Sequence, residues 1–286
     1  MKYIYLNLKR FDVPANLGGV NRLSSVAQWG RAVMEGIQAP LQAYAKQDVT
    51  FTVYFPEAHI LSASAAQTDQ SPVVLGCQGV YREDTAAGGN FGAFTTERPA
   101  SAAYALGCRS ALVGHCEERK NYSDILSEGG IHESAAVDRL LNRSVKAAVA
   151  RGMQVLYCIG ERAEEQENWQ EVLQRQLDVG LSGVEKDNIV IAYEPIWSIG
   201  PGKTPAGKDY ITKIARFVKD HTGGLPVVYG GGLKQDNAAM LSEIPEIDGG
   251  LIALTRFSGE IGFYPEEYLD IVSRYLRGGK GLEAGV

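Results

Sequence analysis

The chain has little of what a membrane, a nucleic acid or a metal centre would require. No apolar run in its 286 residues approaches the ~20 that a helical span needs, and the apolar stretch in MKYIYLNLKR is too short for a signal peptide. Basic residues are outnumbered, 28 against 34, for a net charge of −6. That balance argues against nucleic acid or a membrane surface as main partner, while leaving room for a local basic pocket. Only four cysteines occur (Cys77, Cys108, Cys116, Cys158), none in a CxxC pair, and His59, His132 and His221 stand at no ligand-like spacing. The reading is a cytoplasmic chain with reduced thiols, no metal and no cofactor. Low-complexity tracts and composition breaks are missing too, so 1–286 reads as one domain.

Against these absences stands a recurring pattern. Short β-branched or aromatic runs lie at 3–8, 50–54, 73–76, 111–114, 154–159, 189–193, 226–229 and 250–253. Helical periodicity fills 26–44, 100–106, 132–151, 169–181, 208–221, 237–242 and 265–276. Strands that alternate with helices form a parallel sheet, because a parallel pair needs a crossover. Eight such units suggest a closed (β/α)8 barrel over an open sheet. Two connections, 10–21 and 82–90, are rich in Gly, Pro, Asn or Asp and follow strands closely; 10–21 reads as a loop insertion, and the tail from about 278 as frayed.

In a parallel barrel the carboxyl ends of all strands converge on one rim. Reading only those ends collects Asn7 and Lys9 after the first strand, His115, Cys116 and Glu117 after the fourth, Glu194 after the sixth, and Gly230, Gly231 and Gly232 after the seventh. A lysine, a histidine and a carboxylate would share that rim with glycines that expose backbone N–H groups. Such a set suits enolisation of an anionic substrate: a base for a C–H proton, an acid for the oxygen, donors for the anion. The GKT at 202–204 is not a phosphate-binding P-loop, since Trp197 stands where that motif needs glycine.

The segments ALVGHCEER (111–119), YCIGE (157–161), IAYEPIWSIGPGKT (191–204), VVYGGGLKQDNA (227–238) and GAFTTE (92–97) resemble signatures of triosephosphate isomerases, in the family's order and across nearly the whole chain. The resemblance implies a TIM barrel and an aldose–ketose isomerase that interconverts dihydroxyacetone phosphate and glyceraldehyde 3-phosphate. It implies Glu194 as base, His115 as a neutral electrophile, Lys9 as fixed charge, and Glu117 as a supporting carboxylate. It also implies a mobile lid at 195–204, with Pro195 and Gly202 in hinge or lid roles and the Gly200 amide on the phosphate. A homodimer follows by the same route, with the 92–97 loop bringing Thr95 to a partner subunit.

The match departs from the family at the anion grip. Ala253 and Leu254 stand where two glycines are expected, Gly232 where a serine is, and the loops at 10–21 and 255–264 are enlarged. Asn7, Lys9, Gly200, Gly231, Gly232, Ala253 and Leu254 are therefore the substrate-binding candidates, with Arg256 as a compensating donor. Glu118 replaces a family arginine next to Glu117, while Arg119 is retained. The departures leave open a related sugar phosphate, such as a tetrulose phosphate, or a catalytically silent phosphometabolite-binding barrel.

Overall fold

The computed structural model describes residues 1–200 and 203–278. Eight parallel strands close into a barrel in sequence order, β1 (Lys2–Asn7), β2 (Val49–Phe55), β3 (Val73–Cys77), β4 (Ser110–Val113), β5 (Gln154–Ile159), β6 (Ile189–Tyr193), β7 (Val227–Tyr229) and β8 (Gly249–Ile252). The closure is completed by β1 against β8, with Tyr5 opposite Leu251. The expected strands are all present, and the barrel is confirmed.

Side-chain alternation sorts each strand into two packing layers. Tyr5, Tyr54, Leu112, Leu156, Val190, Ala192, Val228 and Leu251 fill the barrel interior. Their outward neighbours, such as Ile4, Leu6, Val155 and Ile191, pack under the helices in a separate, larger core. The period of two has a direct consequence for the rim. On β6 the inward series Val190, Ala192 continues to Glu194, and on β1 the series Tyr3, Tyr5 continues to Asn7.

The helical layer comprises α1 (Trp29–Leu41), α2 (Glu57–Ala66), α3 (Ala100–Ala105), α4 (Cys116–Glu128), α5 (Ser134–Ala150), α6 (Trp169–Gly180), α7 (Lys208–Thr222), α8 (Ala238–Ser242) and α9 (Pro265–Arg277). The helix expected at 26–44 is α1 extended by a 3-10 turn at each end, Val26–Gln28 and Gln42–Tyr44. Two helices escaped the periodic reading. In α2 small and apolar residues are spread around the helix, so no single stripe stands out, and α4 is so polar that Arg119 is its one buried residue.

The segment after β1 is a loop with a 3-10 turn at Ala15–Leu17 and a bridge between Pro14 and Asn21. The tail beyond 278 lies outside the described residues. Among the described residues no helix is long and apolar enough to cross a membrane.

Candidate active site

Lys9, His115 and Glu194 meet at the carboxyl rim through one chain of contacts. The loop after β1 turns sharply at Lys9, which has φ +41 and is the one non-glycine with positive φ among the described residues. Its N–H donates to the Asn7 side-chain oxygen at 3.0 Å, and Gln78 from the end of β3 donates to its carbonyl at 2.9 Å. That brace aims the lysine Nζ at Glu117 Oε1, 2.6 Å away. Gln78 was not singled out in the sequence, where a lone glutamine after a strand carries no signal.

His115 caps the N-terminus of α4. Its Nδ1 accepts the Glu117 main-chain N–H at 3.2 Å, so that nitrogen is the unprotonated one and the proton resides on Nε2. Nε2 lies 3.4 Å from Glu194 Oε1. The second Glu194 oxygen, Oε2, accepts the Cys116 main-chain N–H at 2.8 Å, while Oε1 is buried with no hydrogen-bond partner.

Glu194 is only 1% exposed. Burial pushes its carboxyl above the ordinary carboxylate range, and His115, the Cys116 N–H and Lys9 offset only part of that effect. A carboxylate that is desolvated, singly hydrogen-bonded and next to an imidazole N–H has the properties of a general base. Gly230 is glycine for a spatial reason, since a Cβ there would sit 2.7 Å from Glu194 Cγ. Cys116, against the same carboxylate, is pushed up to about 12, chiefly by burial, which makes it a poor nucleophile.

Behind this set lies a second buried carboxylate. Glu161 is fully buried and gathers three donors on one oxygen: Tyr193 OH at 2.9 Å, Tyr210 OH at 3.0 Å and Trp197 Nε1 at 2.7 Å. Trp197 belongs to the 3-10 turn Ile196–Ser198 that leaves Glu194 through Pro195. Glu161 thus ties the start of the 195–204 segment to the barrel. Its motif, YCIGE, was evident in the sequence, but its partners are contributed by β6 and α7 and could not be read from spacing. Gly200 has φ +117, a conformation that suits glycine, and Gly202 lies outside the described residues.

Between β6 and β1 on the rim, Gly231 and Gly232 follow β7, and Ala253 and Leu254 follow β8. Among the described residues nothing accepts their main-chain N–H groups, which leaves four donors for an anion. Arg256 is not turned toward them. Its guanidinium bonds Glu267 of α9 at 2.7 Å and lies 3.7 Å over the Tyr264 ring. The expected compensation by Arg256 therefore finds no support in its placement. The segments after β1 and β8 meet just beyond the 10–21 loop, Arg22 donating to the Ile261 carbonyl at 3.1 Å.

Around α4, Arg119 is buried and bonded to Asp138, Tyr157 OH and the Cys158 carbonyl. Glu118 accepts the Gly114 N–H at 2.7 Å, and burial pushes it up to about 7. Thr95 sits on an exposed loop beside Phe91, which is 91% exposed.

The sequence model of the family described as Triosephosphate isomerase matches residues 26–272. A triosephosphate isomerase of Synechococcus sp. (strain JA-2-3B'a(2-13)) is 33% identical over 220 residues, 74% of this chain and 77% of that protein. One from Syntrophotalea carbinolica is 30% identical over 257 residues, 85% of this chain and 94% of that protein. The crystal structure of triosephosphate isomerase from Bartonella henselae superposes with a TM-score of 0.70 at 21% identity, covering 96% of this chain and 99% of that one.

Proposed function

Because the chain belongs to the triosephosphate isomerase family, we propose that it interconverts dihydroxyacetone phosphate and glyceraldehyde 3-phosphate, with Glu194, His115 and Lys9 as the catalytic residues. The observation that carries the residue assignment is the desolvated Glu194 carboxylate within 3.4 Å of His115 Nε2, with the other ring nitrogen engaged by the Glu117 N–H at the start of α4.

A C–H next to a carbonyl is too weakly acidic for a carboxylate in water, so the proton moves only if the oxygen is stabilised as charge builds on it. Glu194 releases the Cys116 N–H, turns to the substrate carbon and takes its proton. The electron pair moves into the C–C bond and onto the carbonyl oxygen, giving an enediolate. His115 Nε2–H donates to that oxygen and passes protons between the two oxygens. Glu194 then returns its proton to the neighbouring carbon. Lys9, turned from Glu117, sets positive charge beside the developing anion. The amides of Gly231, Gly232, Ala253 and Leu254, with that of Gly200, hold the phosphate. The 195–204 segment closes to keep water from the enediolate.

The finer expectations are part of the same proposal. The exposed loop carrying Phe91 and Thr95 suits contact with a second copy, hence a homodimer, and the chain acts in the cytoplasm on a free sugar phosphate.

The test is a coupled assay with both triose phosphates, run beside proton exchange between substrate and deuterated solvent. Turnover and exchange that both collapse in Glu194→Gln support the assignment. A four-carbon ketose phosphate turned over with higher kcat/KM than the trioses would transfer the chemistry to that substrate. Binding without any exchange would mark a silent barrel.

A further inference from the structure

The barrel rim brings to His115 and Glu194 a thiol that the isomerisation does not use. Cys116 Sγ, a ring nitrogen of His115 and a carboxylate oxygen of Glu194 all lie within 4.8 Å of one another. The spacing of residues along the chain conceals this, since Glu194 comes from a different strand.

We propose that this trio is a binding site for a thiophilic divalent cation of the zinc class, occupied in competition with substrate. Three observations carry it. The ligand types are right: a thiol, an imidazole and a carboxylate, the mixed N/O/S set that zinc accepts. The separations are within reach of such an ion once the side chains draw in, since Zn–S of ~2.3 Å and Zn–N of ~2.0 Å in a tetrahedron place ligand atoms roughly 3.3–3.8 Å apart. Cys116 Sγ is 3.8 Å from His115 Nδ1 and Glu194 Oε1 is 3.4 Å from the other ring nitrogen, Nε2, so an ion held by one nitrogen closes the trio from its 4.8 Å spread. Finally, Glu194 Oε1 is a buried oxygen with no hydrogen-bond partner, aimed at the histidine. A cation there would give that oxygen the partner it lacks.

The thiol is the member of the trio that faces open space: Cys116 lines a cavity of about 490 Å³ together with Glu117, Gly160 and Ile196, which His115 and Glu194 do not line. On binding, the Cys116 S–H proton passes to solvent as the metal–sulfur bond forms. The Glu194 and His115 lone pairs complete three bonds, and water takes the fourth position. His115 gives up either its cap to the Glu117 N–H or its Nε2 proton, which limits affinity and keeps the site reversible. With base and electrophile both held by the ion, turnover stops. Binding stands on the geometry alone; only the loss of turnover rests on the proposed reaction.

The test uses Co²⁺ as a spectroscopic stand-in for Zn²⁺, titrated into the full-length protein. The expected result is one ion per chain with a thiolate-to-cobalt charge-transfer band, displaced by Zn²⁺ and suppressed by saturating triose phosphate. Cys116→Ser should remove the band and weaken Zn²⁺ binding by ~10²-fold, as loss of the soft ligand demands. Cys77, Cys108 and Cys158 remain in that variant, so a band that persists assigns the ion to another thiol and overturns the proposal. Circular dichroism and a melting curve establish that the variant is folded. Glu194→Gln provides an independent arm: it should retain the band while weakening affinity, and affinity unchanged in both variants would equally refute the site. Inhibition by Zn²⁺, scored relative to each variant's own metal-free rate, should follow binding; tight binding without inhibition would leave the ion site standing and count against the roles given to His115 and Glu194.

Discussion

The ends of β1, β4 and β6 and the ends of β7 and β8 share one rim, yet they are built by different means. On the first side, side chains do the work, and each is held by a specific partner: Lys9 by Glu117, His115 by the Glu117 N–H, Glu194 by the Cys116 N–H. On the second side the donors are main-chain amides of Gly231, Gly232, Ala253 and Leu254, and the nearby cation Arg256 is committed to Glu267. A network of side chains fails when one atom is wrong. A cradle of amides accepts a Cβ as long as the backbone path survives. In the proposed reaction this lets substitutions accumulate among the amides while Lys9, His115 and Glu194 are kept.

The sharpest way to break the comparison is Glu194→Gln. It should lower kcat by ~10²–10⁴, the usual worth of a positioned base; steady-state turnover near the parent value would remove Glu194 from the mechanism. The same variant should melt at a higher temperature at neutral pH. The native carboxyl sits above its ordinary value, so ionisation costs stability at neutral pH and the cost disappears as pH falls through the native value. The acid limb of kcat/KM should accordingly lie above the ordinary carboxylate range, and a limb within that range would contradict the burial argument.

Next in size is Lys9→Met, expected to lose at least ~10² in kcat/KM, with KM raised and kcat lowered together, because the charge serves both anion and enediolate. An effect on KM alone would confine Lys9 to binding. Glu161→Gln should cost roughly tenfold in kcat/KM, about one charge-assisted hydrogen bond, since Trp197 then loses its anchor. At the ends of β7 and β8 the effects should shrink. The double change Ala253→Gly with Leu254→Gly should move KM by only ~2–3-fold at constant kcat, because the amides remain. Arg256→Ala should leave KM unchanged. A large loss from either would show that the phosphate side depends on side chains after all.

The legible part of this molecule was its periodicity and its local motifs. Short β-branched and aromatic runs placed every strand, because a strand buried on both faces reads as a near-continuous apolar stretch, whereas the inward register that ends at Glu194 and Asn7 emerged only from the packing. What remained hidden depended on distance. The α4 helix buries little apolar surface, so its start at His115 left no stripe to detect. Glu161 receives donors from three other segments, and Gln78 reaches Lys9 across 69 residues. Arg256 was chemically suited to the anion, yet Glu267 one helical segment later is the nearer and better partner. Sequence shows which groups are available; only packing decides which of two willing partners wins.

The left-handed turn at Lys9 has a bearing on how such a chain can change over generations. A lysine pays a conformational penalty there that glycine or asparagine would escape. Selection for heat tolerance alone should therefore favour exchange at this position, and selection for turnover should forbid it. A library screened only for survival on heating would drift toward inactive barrels through a single codon, and the frequency of lysine at position 9 would report which pressure was in force.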